Sequence, residues 1–132
     1  MIVLDEQLLG RGLEMEIAQW YRGPVRFIMD LRPNTVIKDD AVPLLLQRQD
    51  HPTFVTLNES DFWLKVLINE RFGVVCFALP DSRAREIPAL LRSLFRRQQF
   101  ATKSQRMGMV IRIADQGVTY YGLDDRMIRS LA

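Results

Sequence analysis

The spacing of apolar residues changes repeatedly along this chain, and that change constrains the fold more than any single motif does. Short apolar runs, each long enough for one strand, alternate with segments in which apolar residues recur every three or four positions. Strands that alternate with helices are typical of a mostly parallel sheet covered by helices. The pattern therefore predicts an α/β fold, specifically a three-layer α/β/α sandwich with a mostly parallel sheet.

The same pattern predicts the order of the elements. Strands are predicted at 2–4, 25–29, 54–57, 73–79, 107–114 and 118–122, and the last two form a hairpin around 115–117. Helices are predicted at 7–22, 39–48, 59–67 and 82–98, with a polar basic loop at 99–106 and a short polar end over the last ten residues. Because no linker or internal repeat interrupts this order, the prediction is one domain, 1–132.

Composition narrows the class of protein. The chain has 132 residues, of which 48% are hydrophobic and 26% charged, as in globular domains and unlike disordered tails or membrane channels. Its longest apolar runs are strand-sized and too short to span a bilayer. The first residues lack the basic region and the cleavage site of a signal peptide, so we expect a cytoplasmic protein.

The chain has one cysteine and one histidine, and this excludes several classes of site. Cys76 lies in the apolar run at 74–79, so it is predicted to be a core residue rather than a nucleophile. His51 precedes Pro52 in a predicted turn, and a single histidine rules out zinc sites that need two. The glycine-rich nucleotide-binding loops are also absent from the sequence.

Acidic residues follow the first three predicted strands. They are Asp5 and Glu6 after the first, Asp39 and Asp40 at the start of the helix after the second, and Glu59 and Asp61, with Asn58, after the third. Open α/β sheets bind ligands beyond the carboxyl ends of their strands. Each acid alone also suits a helix cap, but together the three clusters favour a site for Mg²⁺ or Mn²⁺, because oxygen ligands suit these ions.

Positive charge is concentrated in the second half of the chain. Residues 1–81 hold 12 of the 16 acids and 8 of the 18 Lys and Arg residues, whereas residues 82–113 hold 8 basic residues and one acid. Such a strip suits a polyanion, although an ordinary solvated helix face has the same charge. The candidate nucleic-acid-binding residues are Arg92, Arg96, Arg97, Lys103 and Arg106, with Phe100 as a candidate for stacking on a base.

Three segments resemble small bacterial PIN-like proteins of a toxin-like family. The opening at 2–7 (IVLDEQ) resembles the start of those proteins, and 55–63 (VTLNESDFW) resembles their Thr…Asp-Phe segment after the third strand. Residues 39–42 (DDAV) fall where the family has an aspartate that opens its second helix. The resemblance covers residues 1–80 and implies a PIN-like sandwich with a Mg²⁺- or Mn²⁺-dependent ribonuclease site.

The resemblance also implies which acids form that site. Asp5 matches the first acid of the family, Asp39 the second and Asp61 the third, so these three are the predicted catalytic residues and metal ligands. Asp40 is the alternative to Asp39. Thr56 matches the threonine of the family, whose hydroxyl would orient a carboxylate or a phosphate.

The chain departs from the family at one point. The commoner pattern is Thr-x-Asp-x-Asp-Phe, whereas this segment is one residue longer and lacks the first aspartate. Asn58 and Glu59 occupy that region. Asn58 supplies a neutral oxygen to orient substrate, and Glu59 is an alternative metal ligand.

Two functions from different classes are therefore predicted. The first is a Mg²⁺- or Mn²⁺-dependent ribonuclease, the toxin member of a toxin–antitoxin pair. The alternative is a non-catalytic PIN-like module that binds RNA or a protein partner, which the missing aspartate supports. A receiver-like phosphoacceptor built on Asp5 and Glu6 is a weaker hypothesis, because Lys38 and Lys65 are poorly placed for it. The candidate partners are RNA, an antitoxin-like protein and a second copy of the chain.

Overall fold

One sheet of seven strands runs through the structure, a computed structural model that describes residues 1–131. The strands are β1 (Ile2–Leu4), β2 (Val25–Phe27), β3 (Thr53–Thr56), β4 (Gly73–Phe77), β5 (Met109–Ala114), β6 (Gly117–Gly122) and β7 (Arg129–Ser130). They lie in the order β2-β1-β3-β4-β5-β6-β7. The first five in that order are parallel, and β6 and β7 continue the sheet beyond β5 as antiparallel strands. The predicted α/β class and mostly parallel sheet are confirmed.

Helical segments connect the parallel strands. The α-helices are α1 (Leu13–Ala18), α2 (Val42–Gln47), α3 (Glu59–Phe62), α4 (Ile87–Phe95) and α5 (Lys103–Arg106). Short 3₁₀ turns occupy Glu6–Leu8, Ile28–Leu31, Asp39–Ala41, Asp81–Glu86 and Gln98–Phe100. Within residues 1–131, no helix has the length and apolar character needed to cross a bilayer.

The parallel strands direct alternate side chains into two separate cores. Ile2 and Leu4 pack with residues of α1 and α4, whereas Val3 between them packs with residues of α2 and α3. This alternation follows from the pleat of a strand that is buried on both faces. Cys76 is fully buried in the second core, as predicted, and burial raises the pKa of its thiol.

The predicted helix at 7–22 is instead broken by two glycines. Gly10 and Gly12 have φ angles of 80° and 74°, so they lie in the left-handed region and cannot continue a right-handed helix. A 3₁₀ turn precedes them, and α1 begins only at Leu13. The sequence pattern detected the apolar face but not this interruption.

Prolines delay the start of two other predicted helices. Pro43 and Pro88 lack the backbone N–H that a helix interior needs, and each lies in the first turn of its helix. Consequently α2 begins at Val42 rather than at 39, and α4 begins at Ile87 rather than at 82. The residues before them form 3₁₀ turns.

Two segments predicted to be irregular contain regular structure, and one predicted helix is shorter. In the predicted loop at 99–106, Thr102 and Gln105 bond to each other's backbone N–H groups in a capping box that starts α5. The predicted polar end contains β7, in which Ser130 pairs with Thr119 of β6. The final residue of that predicted end lies outside the described residues. The helix predicted at 59–67 covers only Glu59–Phe62.

Gly73→Ala should destabilise the fold more than Gly122→Ala. A Cβ on Gly73 would lie 2.3 Å from the backbone oxygen of Arg106, whereas a Cβ on Gly122 would meet the flexible side chain of Met109 at 2.9 Å. We expect the free energy of unfolding to fall by about 2–3 kcal/mol for Gly73→Ala and by less than about 1 kcal/mol for Gly122→Ala. Chemical denaturation measures both, and equal losses would contradict this account of Gly73.

Candidate functional site

The carboxyl ends of β1 and β3 lie side by side at one edge of the sheet. The two strands pair in parallel, with Leu4 opposite Val55, and the amide of Asp5 donates to the carbonyl of Val55 at 2.9 Å. Asp5 therefore follows β1 at the level where Thr56 ends β3. This is the edge at which open α/β sheets bind ligands.

Asp5 is a buried carboxylate held by two donors. Only 5% of the residue is exposed. The hydroxyl of Thr56 donates to its Oδ2 at 2.6 Å, and the amide of Glu6 donates to its Oδ1 at 2.8 Å. Burial raises the pKa of Asp5 above its ordinary value, and the two hydrogen bonds oppose that rise. Thr56 thus contacts a carboxylate of the kind that it was predicted to orient.

Asn58 connects this carboxylate to two others. Its backbone amide donates to the Thr56 hydroxyl at 2.9 Å. Its Oδ1 caps α3 by accepting from the amide of Asp61 at 3.3 Å. Its Nδ2 therefore faces the acids, and it donates to Asp61 Oδ2 at 2.7 Å and to Asp39 Oδ2 at 3.3 Å. One side chain thus caps a helix and bridges two carboxylates.

The pKa values of Asp39 and Asp61 shift in opposite directions. Desolvation is the largest cause that raises the pKa of Asp39 from 3.8 to about 6, and the hydrogen bond to Asp61 and the neighbouring carboxylates add to the rise. Asp61 shows the opposite shift, because donation from Asn58 and then from Asp39 lowers its pKa. Of the two carboxyl groups, Asp39 is therefore the one that takes up a proton first as the pH falls.

A cleft of about 330 Å³ opens beside this pair. The residues that line it are Asp39, Asp40, Asp61 and Lys65, together with Pro43, Phe62, Val66 and Leu67. Asp40 is exposed in this cleft, but within residues 1–131 it has no side-chain hydrogen bond like that of Asp39 to Asn58. The geometry therefore connects Asp39, rather than Asp40, to the other predicted acids.

Glu59 has a different partner from the other acids. Its Oε1 accepts from Arg112 Nε at 2.5 Å, and this ion pair joins the start of α3 to β5. Arg112 was not predicted as part of this edge. The available signal was its position, because it is the charged residue within the otherwise apolar strand Met109–Ala114.

The side chains at this edge are of the type that binds Mg²⁺ or Mn²⁺, but their spacing is not that of a metal site. Carboxylate oxygens are the ligands that these ions prefer, and the raised pKa of Asp39, which reflects desolvation first and then the neighbouring carboxylates, would fall if a cation bound here. Across residues 1–131, however, no group of three or more His, Cys, Asp or Glu side chains is arranged to hold a metal ion. The donor types support a cation site, and their present spacing does not define one.

The predicted nucleic-acid-binding residues include two that lie at the opposite edge of the sheet from the acids. Lys103 Nζ lies 3.4 Å from Asp50 Oδ2, shortly before β3 begins. Arg106 Nε donates to the hydroxyl of Thr53, the first residue of β3, at 3.4 Å. Both residues are therefore at the amino ends of the parallel strands, whereas Asp5 is at the carboxyl ends.

Burial corrects two of the predicted RNA contacts. Arg106 is only 5% exposed; its guanidinium lies 3.8 Å from the centre of the Phe95 ring and donates to the carbonyl of Phe100 at 2.8 Å. Phe100 is 1% exposed in the core. These two side chains hold structural elements together and are inaccessible to RNA. Arg92, Arg96 and Arg97 are exposed.

Comparison with known proteins identifies no relative of this chain. No protein-family model, no curated protein and no solved structure matches it. What the carboxylate edge does is therefore inferred from its own residues.

Thr56→Val should raise the pKa of Asp5 further, whereas Thr56→Ser should leave it near that of the parent. Valine keeps the shape of threonine but removes the donor that opposes the effect of burial on Asp5. The carboxyl carbon shift of Asp5, followed by NMR against pH, measures this directly. An unchanged Asp5 titration in Thr56→Val would show that the hydroxyl does not stabilise the carboxylate.

Asp39→Asn should stabilise the metal-free protein more at neutral pH than at acidic pH. Between pH 3.8 and about 6, folded Asp39 keeps a proton that the unfolded residue releases, so the stability of the parent falls as pH rises through this window. Asparagine removes that loss. Because both residues are largely exposed, we expect a gain in Tm of only about 2–4 °C at neutral pH.

Melting curves in EDTA at several pH values check this expectation. Asp40→Asn is the matched control, since Asp40 is the adjacent residue in the same cleft. A Tm difference between Asp39→Asn and the parent that stays constant across the window would contradict the raised pKa of Asp39.

Proposed function

We propose that this chain is a Mg²⁺- or Mn²⁺-dependent ribonuclease with a PIN-like α/β/α fold of three layers. The observation that carries the proposal is a continuous set of hydrogen bonds at the carboxyl edge of the sheet, joining Asp5, Thr56, Asn58, Asp39 and Asp61. The two cores that flank the sheet support the layered arrangement. The resemblance of residues 1–80 to PIN-like proteins supports the activity.

The proposed cation is held by Asp5, Asp39 and Asp61, with Asp40 at the rim of the same cleft. When bound, a divalent ion lowers the pKa of water and offsets the charge of a phosphate. The protein itself positions the ligands. Thr56 fixes the carboxylate of Asp5, and Asn58 links Asp39 to Asp61 by donating to both.

The proposal extends to partner and location. The toxin-like resemblance implies that an antitoxin-like protein covers the site in the cytoplasm. Two exposed leucines support a protein partner, because Leu64 is 62% exposed and Leu67, which lines the cleft beside Asp61, is 75% exposed. Contiguous apolar surface that is rimmed by polar residues is typical of binding sites.

Metal-dependent RNA cleavage should be lost in Asp5→Asn and in Asp61→Asn while the fold survives. Each change removes a charged ligand, and we expect cleavage to fall at least about 100-fold because the cation binds more weakly. The Tm in EDTA should hold or rise, since repulsion among the acids is relieved. Cleavage of several single-stranded RNAs in Mg²⁺ and in Mn²⁺ is the measurement.

Asp30→Asn is the control for the loss of one carboxylate. Asp30 accepts from the amide of Phe27 at 3.1 Å and is not part of the hydrogen-bonded set. Parent-like cleavage by Asp61→Asn would contradict the assignment of the site. The absence of cleavage by the parent in either metal would favour the second candidate function.

The second candidate is a non-catalytic PIN-like module that binds RNA or a protein. The observation that favours it is the amide of Asn58, which donates to both Asp39 and Asp61 where a cation would be expected. An amide that already donates to both carboxylates reduces the need for a metal.

Asn58→Asp separates the two candidates. In a ribonuclease, the added carboxylate should tighten Mn²⁺ binding by about tenfold or more and lower the Tm in EDTA, because like charges then face one another. Calorimetric titration with Mn²⁺ measures the affinity, and Asn69→Asp, at an asparagine whose side chain bonds only to the amide of Arg71 among the described residues, is the control. If neither the parent nor Asn58→Asp binds Mn²⁺, the metal-dependent proposal is wrong.

A further inference from the structure

A groove between α1 and α4 gathers arginines without partners. Arg22, Arg85, Arg92 and Arg96 line it. Within the part of the chain that the structure describes, none of the four side chains makes a hydrogen bond or an ion pair. Five ion pairs engage other arginines of the chain: Arg11–Asp81, Arg83–Glu86, Arg83–Asp115, Arg112–Glu59 and Arg129–Asp125. The unpaired charge in this groove is therefore available to an external anion.

An aromatic ring lies among these arginines. Trp20 is half-buried and lines both parts of the groove. It packs edge-to-face against Phe95, with ring centres 5.8 Å apart, and against Tyr21 at 6.2 Å. Phe95 in turn supports the buried guanidinium of Arg106. Trp20 is thus a supported aromatic surface rather than a free side chain.

The groove follows the length of α4. Arg85 lies in the 3₁₀ turn just after β4, toward the carboxyl edge, whereas Arg96 directly follows α4 near the buried Arg106 at the amino edge. Eleven residues separate the two arginines, or about 17 Å at the helical rise. Glu16 is an acid in the lining, and the arginines outnumber it.

This combination fits one class of polyanion best. Arginines spaced along a groove bind successive phosphates, and a fixed aromatic ring between them stacks on an unpaired base. An acidic peptide has the charge but no base to stack on Trp20. A flat bilayer does not match a groove between two helices.

We propose that the α1–α4 groove binds single-stranded RNA through Arg85, Arg92 and Arg96, with Trp20 stacked on a base. The proposal deepens the proposed function, on which the choice of RNA rests, by assigning a binding path that is separate from the carboxylate cluster. It also replaces Lys103, which bonds to Asp50, and the buried Arg106 with Trp20 and Arg85.

Binding is measured with a fluorescent twelve-nucleotide oligouridine in EDTA, so that cleavage does not interfere. Arg92→Ala/Arg96→Ala should weaken binding about 25-fold near 0.1 M salt and flatten the plot of log K against log salt by about 1.4 units, for two lost phosphate contacts. Trp20→Leu should weaken binding about tenfold while changing the salt slope little, because stacking is not ionic.

Arg32→Ala/Arg48→Ala is the charge-matched control, since both arginines are exposed and lie outside the groove. Equal weakening by both double variants would overturn the proposal, because diffuse charge would then explain binding. Absence of binding by the parent would also overturn it. If polyglutamate or anionic vesicles compete as well as RNA does at equal charge, the ligand of the groove is an acidic peptide or a membrane rather than RNA.

Asp5→Asn distinguishes failure of this proposal from failure of the proposed function. If RNA binds in the groove, this variant should bind the oligouridine in EDTA as the parent does, whether or not the parent cleaves RNA. Loss of binding in Asp5→Asn would show that RNA binds at the carboxylates and would overturn the proposal that it binds in the groove. If Trp20→Leu lowers the Tm, the two exposed arginine variants still decide the outcome.

Discussion

The parallel pairing of β1 with β3 is the constraint on which the rest of the site depends. It brings the end of β1 to the level of Thr56, so that the Thr56 hydroxyl reaches the buried carboxylate of Asp5. The same hydroxyl accepts a hydrogen bond from the amide of Asn58, and this bond fixes the first turn after β3. Buried carboxylates are costly unless they are hydrogen-bonded, and this single hydroxyl lowers that cost for Asp5 while it positions the next bridge.

Asn58 combines two roles, because its side chain both caps a helix and bonds to two carboxylates. The oxygen of the Asn58 amide caps α3, and its nitrogen bridges Asp39 and Asp61. An aspartate here would cap the helix equally well but would add a third negative charge beside the pair. The structure thus offers a physical reason why an asparagine is compatible with this edge, and why the pKa of Asp39 is raised when no cation is near.

Much of this arrangement was predictable from sequence, because it depends on period and order. Alternating strands and helices predict the parallel sheet, and acids placed after strands predict their edge. The positions of the basic residues at 82–113 were harder to predict, because charge along a sequence does not show at which end of the sheet a residue lies. Lys103 and Arg106 belong to the far edge, and Arg106 is buried on Phe95. Similarly, Trp20 becomes a surface only when α1 packs beside α4.

The most direct test of the account is where a divalent cation binds. A crystal of the parent soaked in Mn²⁺ and measured at the manganese absorption edge gives the ion position without reference to activity. The account predicts an anomalous peak within about 2.0–2.3 Å of carboxylate oxygens of Asp39 and Asp61, with Asp5 in the same cluster. A manganese-soaked crystal with no peak at this edge, and with the Asn58 amide still bridging the two acids, would contradict it.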